Sequence, residues 1–306
     1  MIWIILGSVL LFLLILIFCF LVYIYKILFF SPRKGQNKEL KLEAMLDYQG
    51  TEEEALSLTK TLLECPYEDL YTTSKDGLKL HAYFYKNEKS DQFVLMFNGY
   101  RGMPRRDFSG CAKALIDLGI NVILCSQRAH DKSEGHSITF GRKEQYDVLS
   151  WINFVQKKYG KSVKIAIAGI SMGGGTVLLA SDKIDPNIKV IADCPYSRQK
   201  DVIMHSMKKL GYPAKLFWPF VQLSSIVFSH ARLKDDALKN VSNSKCKILI
   251  IHGTHDSIVP HQMSERVYEA NKDHVQLEKF EGVEHGLSFI KDPQRYLKII
   301  RNFLEI

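Results

Sequence analysis

The chain has 306 residues, 46% apolar and 24% charged, with a formal charge of +8. That excludes a disordered or low-complexity chain and leaves ample length for one large core. The six cysteines (Cys19, Cys65, Cys111, Cys125, Cys194 and Cys246) are scattered, with no C-x-x-C pair, which suits a reducing compartment and small buried residues rather than a disulfide framework.

Met1 to Tyr25 contains no charged side chain. At about 1.5 Å per residue, 20 or more such residues cross a bilayer. Trp3, Tyr23 and Tyr25 sit near its two ends, where interfacial aromatics belong. A cleaved signal peptide wants a basic segment before the apolar run and a small-residue site after it, and neither is present. The positive charges Lys26, Arg33, Lys34 and Lys38 all follow the run. The reading is one N-terminal transmembrane anchor over residues 1–30, with the body on the cytoplasmic side.

Residues 31–66 read as a short basic linker followed by one or two amphipathic helices, interrupted near Gly50. Leu70–Ser74 and Leu78–Tyr85 look like a hairpin joined by Lys75-Asp76-Gly77, at the antiparallel edge of a sheet. From Phe93 the pattern alternates. Strands are expected at Phe93–Phe97, Val122–Cys125, Ile165–Ala168, Val190–Ala192, Ile248–Ile251 and Val275–Phe280. Helices are expected at Asp107–Leu118, Arg142–Lys158, Met172–Lys183, His261–Asn271 and Pro293–Leu304. This predicts an α/β fold with a mostly parallel, doubly wound sheet covered on both faces, whose ligands bind beyond the carboxyl ends of the strands. Tyr196–Val241 breaks the alternation. Its length, its apolar and aromatic content and its breaks at Pro213 and Pro219 predict an inserted helical lid.

The chemistry concentrates in Gly169-Ile170-Ser171-Met172-Gly173, between an apolar strand and a helix-competent run. Strand, G-x-S-x-G, helix is a nucleophile elbow. The turn is so sharp that a Cβ two residues either side of the serine would collide. The new helix aims the Met172 N–H at developing negative charge. A serine needs a base, and the base an orienting acid. Asp256 and His285 each follow a predicted strand, in His252-Gly253-Thr254-His255-Asp256-Ser257-Ile258-Val259-Pro260 and Glu281-Gly282-Val283-Glu284-His285-Gly286.

With those motifs in register, residues Tyr67 to Ile306 resemble the α/β-hydrolase superfamily in its serine esterase, lipase and peptidase branch, and among these bacterial membrane-anchored members. The resemblance implies an α/β-hydrolase domain over residues 67–306 with its lid at 196–241. It implies Ser171 as nucleophile, Asp256 as triad acid and His285 as general base, with no cofactor and no metal. The second oxyanion donor is implied to be the Tyr100 N–H, in Asn98-Gly99-Tyr100-Arg101-Gly102. Asn98 stands where relatives commonly have histidine. Gln127 to Gly135 resembles an Arg-x-His-Gly-x-Ser-x-Gly loop, with Asp131 where glycine is usual.

Rival assignments exist. Asp193, after Val190–Ala192, is an alternative acid or a brace for the lid hinge. His252, His255, Asp256 and His261 lie close in sequence but lack the helix-face spacing of a zinc motif. Residues 197–240 carry eight Lys/Arg against three Asp, which suits an anionic membrane surface, whereas no nucleic-acid-binding motif is visible. The expected protein is a membrane-anchored serine hydrolase acting on carboxylic esters or related acyl compounds, small-molecule or lipid-like, with Phe217, Trp218 and Phe220 as candidate walls of the acyl slot or as membrane-facing rings. A peptidase or acyltransferase on the same triad, or a non-catalytic scaffold, are the alternatives.

Overall fold

The structure, a computed structural model, describes residues 1–31 and 50–306. The expected linker beyond Ser31 and the amphipathic stretch before Gly50 lie outside the described residues. The elements run α1 (Ile2–Leu28), α2 (Glu52–Leu63), β1 (Glu68–Thr73), β2 (Lys79–Tyr85), β3 (Gln92–Phe97), α3 (Pro104–Asp107), α4 (Ser109–Asp117), β4 (Asn121–Cys125), α5 (Glu144–Tyr159) and β5 (Lys164–Ile170). They continue with α6 (Met172–Ala180), β6 (Lys189–Asp193), α7 (Gln199–Lys209), α8 (Ala214–Ser229), α9 (Ala237–Asn243), β7 (Ile248–Gly253), α10 (Gln262–Ala270), β8 (Val275–Phe280), α11 (Ser288–Lys291) and α12 (Pro293–Leu304).

Among the described residues the strands form one sheet in the order β1-β2-β4-β3-β5-β6-β7-β8. β1 and β2 pair antiparallel, as do β2 and β4, and the pairings from β4 to β8 are parallel. The hairpin turn follows from its residues. Gly77 takes φ +87, and the Ser74 hydroxyl accepts the Leu78 N–H at 2.8 Å and donates to Asp76 at 2.7 Å.

Successive strand residues point to opposite faces, so each strand feeds two cores. Leu95 and Phe97 face one, with Trp151 and Val155 of α5, Val177 and Leu178 of α6, and Val241 of α9. Val94 and Met96 face the other, with Leu62 of α2, Leu115 of α4 and Ile300 of α12. Both faces are covered, which is why the central strands read as unbroken apolar runs.

The expected lid resolves into α7 and α8. Ala237 and Val241 of α9 already belong to the sheet core, so the last part of 196–241 is a crossover helix. Pro213 falls at the break before α8, as expected, but Pro219 lies inside the helix instead of breaking it. A proline forfeits one backbone bond, and the tertiary packing of α8 holds the helix through it, with Val221, Ser224 and Ser225 buried below.

α1 is long and apolar enough to cross a membrane, and Ile2 to Phe18 are exposed. Its last third, however, is packed against the domain. Phe20 stacks its ring near Phe217 and Phe220 of α8, at 5.7 and 5.4 Å between centroids, and Phe18 and Tyr25 flank Phe228. Ser224 donates to the Leu21 carbonyl at 2.8 Å. Phe29 is fully buried, edge-on to Phe140, and the Ile138 N–H bonds the Phe29 carbonyl. The boundary drawn from composition at residue 30 therefore cuts through a packed cluster, because hydropathy does not distinguish a lipid-facing apolar residue from a core one.

Candidate active site

β5 runs into Ser171, which takes φ +54 and ψ −113 before α6 begins at Met172. A non-glycine residue there is strained, and the neighbours enforce it. A Cβ on Gly169 would fall onto the Gly173 carbonyl, and one on Gly173 onto the Phe97 carbonyl, so only glycine lets the strand and helix close. The Ser171 N–H is tied to the Asp193 carbonyl at 2.8 Å.

The carboxyl ends of β7 and β8 bring the other two residues to this turn. Ser171 Oγ lies 2.8 Å from His285 Nε2, and His285 Nδ1 lies 2.6 Å from Asp256 Oδ2. The carboxylate is fixed by its own loop, since Asp256 Oδ1 accepts the Ile258 and Val259 N–H groups at 2.9 and 2.7 Å. Burial pushes the Asp256 carboxyl up, but the charge of His285 and the hydrogen bonds from His252 and His285 outweigh it and hold the group well below its ordinary value. Burial works against a charged His285, and Asp256 overcomes this by charge and hydrogen bond, so the imidazole pKa is raised. The arrangement can take a proton from a hydroxyl and hold the resulting imidazolium.

Asp193 is near the site without joining this chain of contacts. Its Oδ2 accepts the Tyr296 hydroxyl at 2.9 Å, its Oδ1 is buried without a partner, and burial raises its pKa to about 6. His255 is exposed, and His252 and Asp256 bond each other, so these residues do not converge as a ligand set. Cys194 Sγ stands 3.8 Å from His285 Nε2, but burial pushes its thiol well above the usual range and keeps it protonated.

The loop after β3 lies beside Ser171. Asp107 Oδ2 accepts the Gly99 N–H at 2.9 Å and Oδ1 accepts the Met103 N–H at 3.2 Å. The His130 Nδ1 donates to the Arg128 carbonyl at 2.8 Å, and its Nε2 accepts the Arg101 N–H at 3.0 Å. Asn98 is fully buried. Its amide donates to the Gly99 carbonyl and its Oδ1 accepts the Gln127 N–H, so the asparagine ties the two loops. Asp131 adopts φ +45, which explains the usual glycine, and accepts the Tyr83 and Ser126 hydroxyls. Met172, as the first residue of α6, has an N–H without a partner in that helix.

A cavity of about 400 Å³ opens above Ser171. Tyr100, Met172 and His285 line it, with apolar walls from Leu58 of α2, Ile203 of α7, Leu210 just after α7, and Ile27 and Leu28 of α1. Phe217, Trp218 and Phe220 are not among its walls. The two phenylalanines pack on Phe20 of α1, and the Trp218 ring lies 5.7 Å from the Lys200 ammonium. Alternation around Pro219 left their facing side open, and α1 decides it. Sequence reasoning missed Asp107 and the roles of His130 and of His252, which it weighed only as a metal ligand. Single polar residues in loops carry no periodic signal, although His130 sat in a motif already singled out.

The family model of the prolyl oligopeptidase family matches residues 133–305. The chain is 26% identical over 200 residues to the uncharacterised protein YqkD of Bacillus subtilis, covering 62% of this chain and 64% of YqkD. It is 26% identical over 249 residues to the uncharacterised membrane protein YNL320W of Saccharomyces cerevisiae, covering 78% and 80% of the two chains. The solved esterase Pf2001 of Pyrococcus furiosus superposes with a TM-score of 0.66 at 24% identity, over 80% of this chain and 92% of that one.

Proposed function

The chain belongs to the prolyl oligopeptidase family, within the α/β hydrolases, and from that premise we propose a membrane-anchored serine esterase acting on amphiphilic acyl substrates. The observation that carries the reading is the unbroken run of contacts from Ser171 through His285 to Asp256, at 2.8 and 2.6 Å. Ser171 Oγ attacks the ester carbonyl while His285 Nε2 takes its proton. Asp256 stabilises the imidazolium, and the Met172 and Tyr100 N–H groups hold the oxyanion. Collapse of the tetrahedral intermediate expels the alcohol, which takes the proton from His285. Water then repeats the sequence and frees the acid.

Several observations favour an acyl substrate. The cavity walls are largely apolar, and two of them come from the last turn of α1. α8 turns Leu216, Leu223, Ile226 and Val227 outward, with Lys208, Lys209 and Lys215 exposed nearby. An apolar face with basic flanks suits the headgroup boundary of an anionic leaflet. Lys26 and the basic residues after it put the domain on the cytoplasmic side in this reading. A peptidase is the second reading, favoured by the family match itself.

The test is a fluorophosphonate probe and a substrate panel on the purified full chain. Wild type should be labelled and Ser171→Ala should not. Esters of graded chain length should turn over faster than peptidyl amides. Faster amide cleavage would move the assignment to a peptidase, and a wild type inert to the probe would leave a scaffold.

A further inference from the structure

The last four carbonyls of a helix have no partner inside it and must find one elsewhere. In α1 the Tyr25 carbonyl is taken by the Phe29 and Phe30 N–H groups, at 2.9 and 2.8 Å. Those of Lys26, Ile27 and Leu28 are taken by side chains of the loop beside Ser171, the first by Arg101 Nη2 at 3.4 Å. Arg101 Nη2 donates to the Ile27 carbonyl at 2.8 Å and to the Phe30 carbonyl at 3.0 Å. The Tyr100 hydroxyl donates to the Leu28 carbonyl at 2.9 Å. The Tyr100 ring stacks on Phe140 at 5.2 Å, and Phe140 stands edge-on to Phe29. A guanidinium at the negative end of a long helix is favourable, the more so where water is scarce.

We propose that the last turn of α1 is a working part of the active site, holding the Tyr100 N–H in place through Arg101 and the Tyr100 side chain. Arg101 is thereby a positioning residue. The inference rests on reading Ser171 as nucleophile and the Tyr100 N–H as oxyanion donor. The domain's own groups, Asp107 and His130, hold the backbone at Gly99 and Arg101, on either side of Tyr100. The side chains of Tyr100 and Arg101 are tied instead to α1. Arg101 sits at φ +53, a conformation that a non-glycine residue keeps only when its surroundings impose it. An anchor that merely tethers needs none of these bonds to the catalytic loop. A consequence is that the oxyanion site is complete only with α1 docked.

The experiment compares full-length wild type, Arg101→Ala, Arg101→Lys, Ser224→Ala and Ser171→Ala in lipid nanodiscs. The readouts are kcat and KM for a short-chain ester, and the affinity of an alkyl boronic acid whose tetrahedral adduct mimics the intermediate. Loss of a whole oxyanion donor costs about 100- to 1,000-fold in kcat, so loosening one should cost about tenfold. Arg101→Ala should lower kcat about tenfold with KM within about twofold, and weaken boronate binding by the same factor. Arg101→Lys should recover part of both losses, since an ammonium can still reach one carbonyl. Ser224→Ala, which cuts a different bond to α1, should change neither by more than about twofold.

Arg101→Ala with wild-type kcat and boronate affinity would overturn the proposal. So would a kcat loss without a boronate loss, or an equal loss in Ser224→Ala, which would make the effect one of docking in general. Should Arg101→Ala fail to fold, Arg101→Gln is judged by the same criteria. Turnover retained by Ser171→Ala would instead sink the reading of the nucleophile, and this inference with it.

Discussion

His252 Nε2 lies 2.9 Å from Asp256 Oδ2, the same oxygen that His285 Nδ1 approaches to 2.6 Å. His252 Nε2 also faces the Val259 carbonyl at 2.8 Å, and its Nδ1 faces the Ser264 hydroxyl at 2.6 Å. Those partners make His252 a donor through Nε2, so four N–H groups converge on one buried carboxylate. The group that orients the proposed base is itself oriented by a second histidine four residues earlier. Ser171→Ala should therefore abolish ester turnover with the fold intact, and Asp256→Asn should cost about 1,000- to 10,000-fold in kcat. His252→Leu should cost about tenfold, since three donors remain. Steady-state rates, with circular dichroism to confirm folding, check all three.

The pH profile follows from His285. The imidazole acts as a base only when neutral, and its pKa is raised above the ordinary value of 6.5 by Asp256. The kcat/KM should fall as pH drops, with its acid limb centred above pH 6.5. In Asp256→Asn the limb should move to lower pH. A group whose folded pKa is raised contributes stability that is full below its unfolded value and lost as pH rises through the folded one. The depressed pKa of Asp256 works the other way, and its contribution is lost as pH falls below 3.8. Thermal unfolding from pH 3 to 9 should show both limbs, and both should shrink in the Asp256→Asn protein.

Asp193 offers the contrasting case. Its pKa rises from 3.8 to about 6 because the carboxylate is buried, and Oδ1 has no partner. The folded state then binds the extra proton between those values, so stability falls as pH rises from about 4 to about 6. The ionised group costs about 1–3 kcal/mol above that window. Asp193→Asn should raise the Tm at pH 7.5 more than at pH 4.5, and keep turnover within about threefold. A loss as deep as that of Asp256→Asn would transfer the acid role to Asp193.

Chain-length preference tests the cavity. Ile203 of α7 is a wall of it, and Trp218 of α8 is not. Each methylene buried is worth about 0.8 kcal/mol, or about fourfold in kcat/KM. Ile203→Trp should shorten the best ester by several carbons, whereas Trp218→Ala should leave the series within about twofold. A p-nitrophenyl ester series from two to twelve carbons reads both.

Truncation separates the two parts of α1. Removing residues 1–19 deletes most of the exposed apolar surface but keeps Phe20 and the packed turn. That protein should be released from membranes and remain active. Removing residues 1–31 also strips Leu21, Ile24 and Phe29, each of which buries a side chain worth about 1.5–3 kcal/mol. Its Tm should drop by several degrees and its kcat by about tenfold or more. Equal activity of the two truncations would reduce α1 to a tether.

Local patterns and the spacing of a few residues were enough to derive the strands from β3 to β8, the sharp turn at Ser171, and the carboxyl-end positions of Asp256 and His285. The inner strands are legible because a buried parallel strand must be apolar throughout, β8 at the edge because its apolar residues alternate with polar ones, and the turn because a sharp bend beneath a helix must be glycine on both sides of the serine. Periodicity does not report which apolar surface meets which. Phe217 and Phe220 read equally well as cavity wall or lipid face until α1 is seen lying across α8. Phe29 looks like the tail of a membrane run until Phe140 covers it. The same holds for His130, which meets Arg101 from a loop 29 residues away, and for Asp107 and His252, whose partners are close in sequence but are brought to them only by the fold of their own loops. Only the tertiary structure brings the end of α1 against the loop beside Ser171, because the hydrogen bond from Arg101 to the Ile27 carbonyl joins segments with no local sequence relation.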